Sequence, residues 1–196
     1  KLKFGDWTGV ADISQSKVTK HNTRCETTAG QPDNASTDAA ARAAGLLAAL
    51  SPDFARAQKV PPNDGRLETD RVEIASPAGH GKINALVARP ANSAGALPVV
   101  LVIHENRGLN PHIEDIARRL AVDNFIAVAP DLLTSVGGYP GDEDKARDAF
   151  GKIDQAKARE DFVAAANYTR GITGGNGKLG AVGFCYGGGI VNFLAT

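Results

Sequence analysis

A cysteine between two glycines is the residue of this chain best suited to covalent chemistry. Gly183 and Gly187 each stand two positions from Cys185; an apolar run typical of a strand precedes them, and residues 190–194 are apolar enough to begin a buried helix. Glycine has no Cβ, so the chain can turn sharply and lift the side chain of residue 185 clear of the sheet. At a helix N-terminus the dipole favours the nucleophilic thiolate. Free cysteines are usually buried and inert, but here strand, glycines and helix together favour a nucleophile.

Acyl transfer also requires hydrogen-bond donors for the oxyanion that develops on the substrate. The backbone N–H of Tyr186, the first residue of the expected helix, is one predicted donor. The second is the N–H of Asn106, in the loop after the first buried strand. In the same loop, Glu105 could keep a neighbouring thiol protonated or take its proton, depending on burial. The alternative for Glu105 is a solvated surface carboxylate.

A general base is harder to find in this chain. All four histidines precede Cys185, whereas the expected order along the chain is nucleophile, acid and then histidine. His104 ends a central strand near the predicted active edge, so it is the one candidate among them. Packing or binding of the neighbouring loop is the favoured interpretation of His104, because a base must first have the right geometry.

Strands and helices alternate along the part of the chain that must position these residues. Strands are predicted over 71–75, 82–89, 99–103, 125–129 and 178–184; helices are predicted from Asn110 and over about 143–170, with a break near Gly151. The first two strands form an antiparallel hairpin. Alternation of strands and helices predicts an α/β fold with a mostly parallel sheet and helices on both faces.

The composition excludes several classes of protein. The 196 residues include 22 basic and 22 acidic side chains, which predicts neither a nucleic-acid partner nor an acidic membrane partner. A 42% hydrophobic content is typical of one globular domain, and the longest apolar stretch, 39–50, is too short to span a bilayer. The two cysteines form no metal-binding pattern, so neither a metal nor another cofactor is predicted.

The N-terminal region differs from the remainder of the chain. Residues 1–58 are predicted to be irregular, and residues 59–196 to form the folded domain. Within the first region, the apolar segment 39–50 is followed by an A-x-A sequence that ends at Ala57. This order is typical of a secretory leader and its cleavage site, and predicts an exported or periplasmic protein. An alanine-rich surface helix in a cytoplasmic protein is the alternative.

Three motifs resemble those of the dienelactone hydrolase (carboxymethylenebutenolidase) family, which has the α/β-hydrolase fold. They are the elbow at 183–188, the loop at 104–110 and the Ala-Pro-Asp-Leu sequence at 129–132, and their order and spacing agree over about residues 67–196. The resemblance implies a cysteine–histidine–aspartate triad with Cys185 as the nucleophile. It also implies that Glu105 contacts the resting thiol, and that the N–H groups of Asn106 and Tyr186 form the oxyanion hole.

The chain departs from the pattern of this family at two points. The aspartate and histidine of the triad would lie beyond Thr196, so the sequence predicts a C-terminally truncated, incomplete fold. Family members that act on dienelactone carry an arginine shortly after the Pro-Asp-Leu motif, whereas residues 133–136 contain none. Arg107 and Tyr139 are therefore the candidate substrate-binding residues.

The predicted function is hydrolysis of small esters or lactones through an acyl-thioester on Cys185. The predicted partner is thus a small-molecule ester, with no nucleic acid and no membrane, and the oligomeric state is left open. A non-catalytic binding protein of the same fold, or an inactive fragment, is the alternative.

Overall fold

The computed structural model describes residues 58–196. The predicted leader, its cleavage site and the other predictions for residues 1–57 lie outside the described residues. The predicted domain boundary falls between residues 58 and 59, beside the start of the described part of the chain.

A sheet of five strands forms the centre of the described part of the chain. Its strands are β1 (Leu67–Ser76), β2 (Gly81–Pro90), β3 (Leu97–Ile103), β4 (Ile126–Asp131) and β5 (Gly175–Gly183), in the spatial order β1-β2-β4-β3-β5. The pairings of β3 with β4 and β5 are parallel, and those of β2 with β1 and β4 are antiparallel. The described sheet is therefore mixed, and the prediction of a mostly parallel sheet holds only for β3, β4 and β5. The turn between β1 and β2 is too short for a parallel crossover, so the hairpin is antiparallel as predicted.

Residues 58–196 also contain four α-helices and one 3-10 helix. They are α1 (Pro111–Val122), the 3-10 helix (Leu132–Val136), α2 (Glu143–Phe150), α3 (Gln155–Arg170) and α4 (Tyr186–Ala195). Asn110 caps α1 by accepting a hydrogen bond from the N–H of Ile113, as predicted. The predicted break near Gly151 is confirmed, because α2 ends at Phe150. The 3-10 helix was not predicted. Within residues 58–196, no helix has the length and apolar composition of a membrane span.

The helices cover both faces of the sheet, as predicted. Successive residues of one strand point to opposite faces, so Leu101 and Val102 of β3 enter different hydrophobic clusters. Val102 packs in the cluster that includes Ile113 of α1, whereas Leu101 packs in the cluster that includes Phe162 of α3 and Ile190 of α4. Burial on both faces explains why the central strands are continuously apolar. The two clusters thus give three layers, with the sheet between two layers of helices.

Helix α1 also buries two charged side chains that its apolar pattern did not indicate. Asp115 and Arg118 are each 2% exposed. The Asp115 carboxylate accepts hydrogen bonds from the N–H groups of Lys59 and Val60 at 2.9 and 2.8 Å. The Nε of Arg118 donates to the carbonyl oxygen of Val60 at 2.8 Å. These bonds connect the first described residues to α1 and compensate for the burial of the Asp115 carboxylate. The compensation of Arg118 is partial: its Nη1 lies 3.6 Å from Glu114 Oε2, and its buried Nη2 has no hydrogen-bond partner among the described residues.

We expect Asp115→Ala to lower the free energy of unfolding by about 2 kcal/mol, because two backbone N–H groups lose their acceptor. Urea denaturation of the chain measures the change. Asp123→Ala is the matched control: Asp123 is an exposed carboxylate at the end of the same helix, and its loss should cost less than about 0.5 kcal/mol. Equal losses in the two variants would contradict this assignment.

Candidate active site

Cys185 lies at the corner where β5 ends and α4 begins, as the glycine spacing predicts. Its backbone has φ 52° and ψ −108°, a conformation that residues other than glycine rarely adopt. Its side chain is exposed and is not part of a disulfide. Backbone strain of this kind costs free energy and persists only where the surrounding structure imposes it. The corner therefore presents a thiol to solvent at the carboxyl edge of the sheet.

The two flanking glycines are required by contacts with backbone atoms. A Cβ on Gly183 would lie 2.1 Å from the carbonyl oxygen of Gly187, and a Cβ on Gly187 would lie 2.4 Å from the carbonyl oxygen of Ile103. Neither distance is compatible with a side chain, and backbone atoms cannot move aside cheaply. The predicted reason for these glycines, a tight turn without side chains, is confirmed.

The residues on either side of Cys185 fasten the turn to opposite faces of the sheet. Phe184 packs against the hydrophobic cluster that includes Ile113 of α1, and its ring makes an edge-type contact with that of His112 at a centroid distance of 6.5 Å. Tyr186 packs against the cluster on the other face, which includes Phe162 of α3, and the centroid of its ring lies 4.8 Å from that of Phe150. Burial raises the pKa of Tyr186. The position of Cys185 is thus fixed by packing in both layers.

The loop that follows β3 begins directly beside the elbow. Ile103 pairs with Gly183, and its carbonyl oxygen accepts a hydrogen bond of 3.1 Å from the N–H of Phe184. The N–H groups of Asn106 and Tyr186 donate no hydrogen bond to any other residue within 58–196. Both predicted oxyanion donors thus belong to segments at the same edge of the sheet and have no acceptor among the described residues, and their role stays a prediction.

His104 is buried and acts as a structural link rather than a base. Its side chain is 0% exposed, its Nδ1 bonds to the carbonyl oxygen of Glu105, and its Nε2 accepts from the N–H of Leu132 at 3.0 Å. Burial lowers the pKa of His104, which keeps the ring neutral. Because Nε2 is an acceptor, the ring proton is on Nδ1. The interpretation that His104 binds the neighbouring loop is confirmed.

The other described histidines also have partners. His80, in the turn between β1 and β2, places Nδ1 2.5 Å from a carboxylate oxygen of the buried Asp161. The ring of His112 contacts Phe184. Over residues 58–196, no group of three or more histidine, cysteine, aspartate or glutamate side chains could hold a metal ion.

Glu105 is half-buried in the loop after β3. Its backbone carbonyl oxygen is bound by His104, which holds the loop at this point. Its carboxylate makes no hydrogen bond or ion pair with other residues of the described part. The contact between the Glu105 carboxylate and the Cys185 thiol therefore stays a prediction.

The two predicted substrate-binding residues meet at a third residue that sequence reasoning missed. Arg107 Nε lies 3.1 Å from Glu143 Oε2, and the hydroxyl of Tyr139 donates to Glu143 Oε1 at 2.8 Å. Burial and the neighbouring Glu143 carboxylate raise the pKa of Tyr139 to about 12. Glu143 is the first residue of α2, and no local motif links it to a loop 36 positions earlier.

Asp131, at the end of β4, also holds the loop that follows β3. Its Oδ1 accepts hydrogen bonds of 3.1 Å from the N–H groups of Leu109 and Leu133. Gly108, which precedes Leu109, has φ 72°. A Cβ on Gly108 would lie 2.5 Å from a side-chain carbon of Leu133. The predicted motif at 129–132 is therefore a structural brace for the loop that carries Asn106. An aspartate before a 3-10 turn is the signal that could have revealed it.

Comparisons with known proteins show which family and which relatives this chain resembles. The model of the dienelactone hydrolase family matches residues 83–196. The chain is 46% identical over 109 residues to Escherichia coli K12 YghX, whose name describes a hydrolase fragment; the match covers 56% of this chain and 93% of YghX. It is 28% identical over 135 residues to Carboxymethylenebutenolidase 1 of Cupriavidus pinatubonensis, covering 65% of this chain and 56% of that protein.

A solved structure has the same arrangement. The dienelactone hydrolase-like promiscuous phosphotriesterase P91, from metagenomic libraries, superposes with a TM-score of 0.55 at 27% identity, covering 67% of this chain and 54% of P91. The chain thus spans about half the length of Carboxymethylenebutenolidase 1 and of P91.

Proposed function

This chain belongs to the dienelactone hydrolase family, and on that premise we propose that it is the nucleophile-bearing part of a hydrolase of small esters or lactones. The observation that carries the proposal is the exposed thiol of Cys185 on a backbone with φ 52°. A strained turn between a strand and a helix is the geometry in which hydrolases of this fold present their nucleophile.

In the proposed reaction, Sγ of Cys185 attacks the carbonyl carbon of the ester. A C–S bond forms, the C–O bond to the alcohol breaks, and the alcohol leaves with a proton. Water then cleaves the acyl-thioester, which releases the carboxylic acid and regenerates the thiol. The unbonded N–H groups of Asn106 and Tyr186 would stabilise the oxyanion in both steps.

The proton of the thiol requires an acceptor, and His104 does not qualify because both of its ring nitrogens are bound. We propose that Glu105 takes this proton, since its half-buried carboxylate lies in the loop beside the elbow. The family resemblance implies that a histidine and its aspartate, both after the elbow in chain order, assist the water in the second step. A protein of residues 1–196 alone has no histidine after the elbow, so in that protein we expect acylation to outpace hydrolysis of the thioester.

Acetylation with p-nitrophenyl acetate, followed by peptide mass spectrometry, tests the proposal. We expect one acetyl group on Cys185, accompanied by a burst of p-nitrophenol, and neither in Cys185→Ala. Cys25→Ala is the control, because it removes the other cysteine and should leave the burst unchanged. A burst that persists in Cys185→Ala would overturn the proposal.

A non-catalytic protein of the same fold would behave differently in this experiment. Its Cys185 would be acetylated no faster than the same cysteine in the urea-unfolded chain, because no oxyanion donors would act on the reagent. The ratio of the acetylation rates of folded and unfolded chain therefore separates the two possibilities.

A further inference from the structure

The cation nearest in sequence to the predicted oxyanion donor is already paired. Arg107 follows Asn106, and its Nη1 donates to the side-chain oxygen of Asn106 at 3.2 Å. Its Nε faces Glu143 Oε2 at 3.1 Å, and both charged side chains are about one-third exposed, at 31% and 28%. The guanidinium is therefore paired with the first residue of α2, while its loop follows β3, the strand that pairs with β5 beside the elbow.

The Glu143 carboxylate is itself held in place by several donors. Tyr139 donates to Oε1 at 2.8 Å, and the side-chain nitrogen of Asn110 lies 3.1 and 3.4 Å from the two oxygens. Glu143 also begins α2, where the helix dipole favours a negative charge. A carboxylate oriented in this way loses little conformational entropy when it pairs with Arg107.

We propose that Glu143 is a specificity-determining residue that acts through Arg107 and directs the site toward uncharged acyl groups. The inference rests on the proposed ester hydrolysis at Cys185. An ester with a free carboxylate needs an unpaired cation beside the nucleophile. The carboxylate of such a substrate would have to displace Glu143, which is covalently tethered and pre-oriented and therefore acts at a high effective concentration.

The neighbouring segment does not supply another cation for such a substrate. The 3-10 helix that follows the Pro-Asp-Leu motif contains only uncharged residues over Leu132–Val136. Arg107 is thus the cation of the loop after β3, and its ion pair with Glu143 determines whether its guanidinium can bind an anionic substrate. Removing the Glu143 carboxylate should release the guanidinium toward an anionic reagent at Cys185.

Alkylation of Cys185 by iodoacetate and by iodoacetamide, two reagents that differ in charge, tests this inference. Peptide mass spectrometry gives the rate of each reaction at Cys185, and the ratio of the two rates cancels changes in thiol reactivity or in folding. We expect Glu143→Gln to raise the ratio of iodoacetate to iodoacetamide on the order of fivefold. In 1 M salt the increase should largely disappear, because the Debye length falls to about 3 Å.

Asp142→Asn is the matched control for this experiment. Asp142 is the exposed N-cap of the same helix and accepts a hydrogen bond from the N–H of Lys145, so the variant removes one negative charge without freeing Arg107. We expect it to change the ratio by less than about twofold. In the Arg107→Gln background, Glu143→Gln should likewise have an effect below about twofold.

Glu143→Asp provides a second variant that keeps the net charge. Its carboxylate is withdrawn by one methylene from Arg107, so we expect the ratio to rise about twofold. Equal effects of Glu143→Gln and Asp142→Asn, or an unchanged ratio in Glu143→Asp, would overturn the inference. Alkylation requires no ester turnover, so a failure of the proposed hydrolysis would appear in the acetylation experiment and not in this one.

Discussion

Gly183→Ala is expected to lower the free energy of unfolding by about 3 kcal/mol or more and to abolish the acetylation of Cys185. The new Cβ would lie 2.1 Å from the carbonyl oxygen and 2.2 Å from the carbonyl carbon of Gly187. Both atoms belong to the first turn of α4, so the helix would have to shift away from β5. Such a shift would also move the N–H of Tyr186 and the thiol that depends on this turn.

Gly189→Ala is the control for that variant. Gly189 lies inside the same helix, and a Cβ there would meet no atom within 4 Å. Alanine in a helix interior is more favourable than glycine by about 0.5–1 kcal/mol, so we expect unchanged or slightly increased stability and normal acetylation. Urea denaturation and the p-nitrophenol burst measure both quantities. Equal stability of the two variants would show that the turn tolerates a side chain at position 183.

The stability of the chain is expected to fall as the pH decreases below about 6.5, because His104 is buried in its neutral form. Burial lowers the pKa of His104 from its ordinary value of 6.5, so the unfolded chain binds a proton that the folded chain does not. The part of the free energy of unfolding that depends on neutral His104 is fully present above pH 6.5. Below that pH it decreases by about 1.4 kcal/mol per pH unit, until the folded-state pKa is reached. Protonation would place a second N–H on Nε2, against the donating N–H of Leu132.

Urea denaturation between pH 8 and pH 5 measures this dependence. The informative quantity is the difference in slope between the wild-type chain and His104→Gln, because the other titratable groups are common to both proteins. NMR of the imidazole ring provides a direct check, since the His104 ring should titrate below its ordinary pKa of 6.5 in the folded chain. A ring that titrates near pH 6.5 without loss of stability would refute the prediction.

Most of the local structure could be predicted because its causes lie within a few residues. The cap at Asn110, the break near Gly151 and the turn at Cys185 each depend on the conformational preferences of adjacent residues. Two features of the fold could not be predicted, for the same physical reason. The antiparallel pairing of β2 with β4 and the buried charges of α1 depend on segments that are distant in sequence.

The sequence by itself determined the elbow, since two glycines at fixed spacing permit a turn that places a thiol between a strand and a helix. Only the tertiary structure decided what surrounds that thiol. It buried His104 between two backbone groups and paired Arg107, in the loop after β3, with the first residue of α2. The physical reason is the separation in sequence of the residues involved. Backbone conformation is set by neighbouring residues, whereas the charge of a site depends on which side chains the fold brings together.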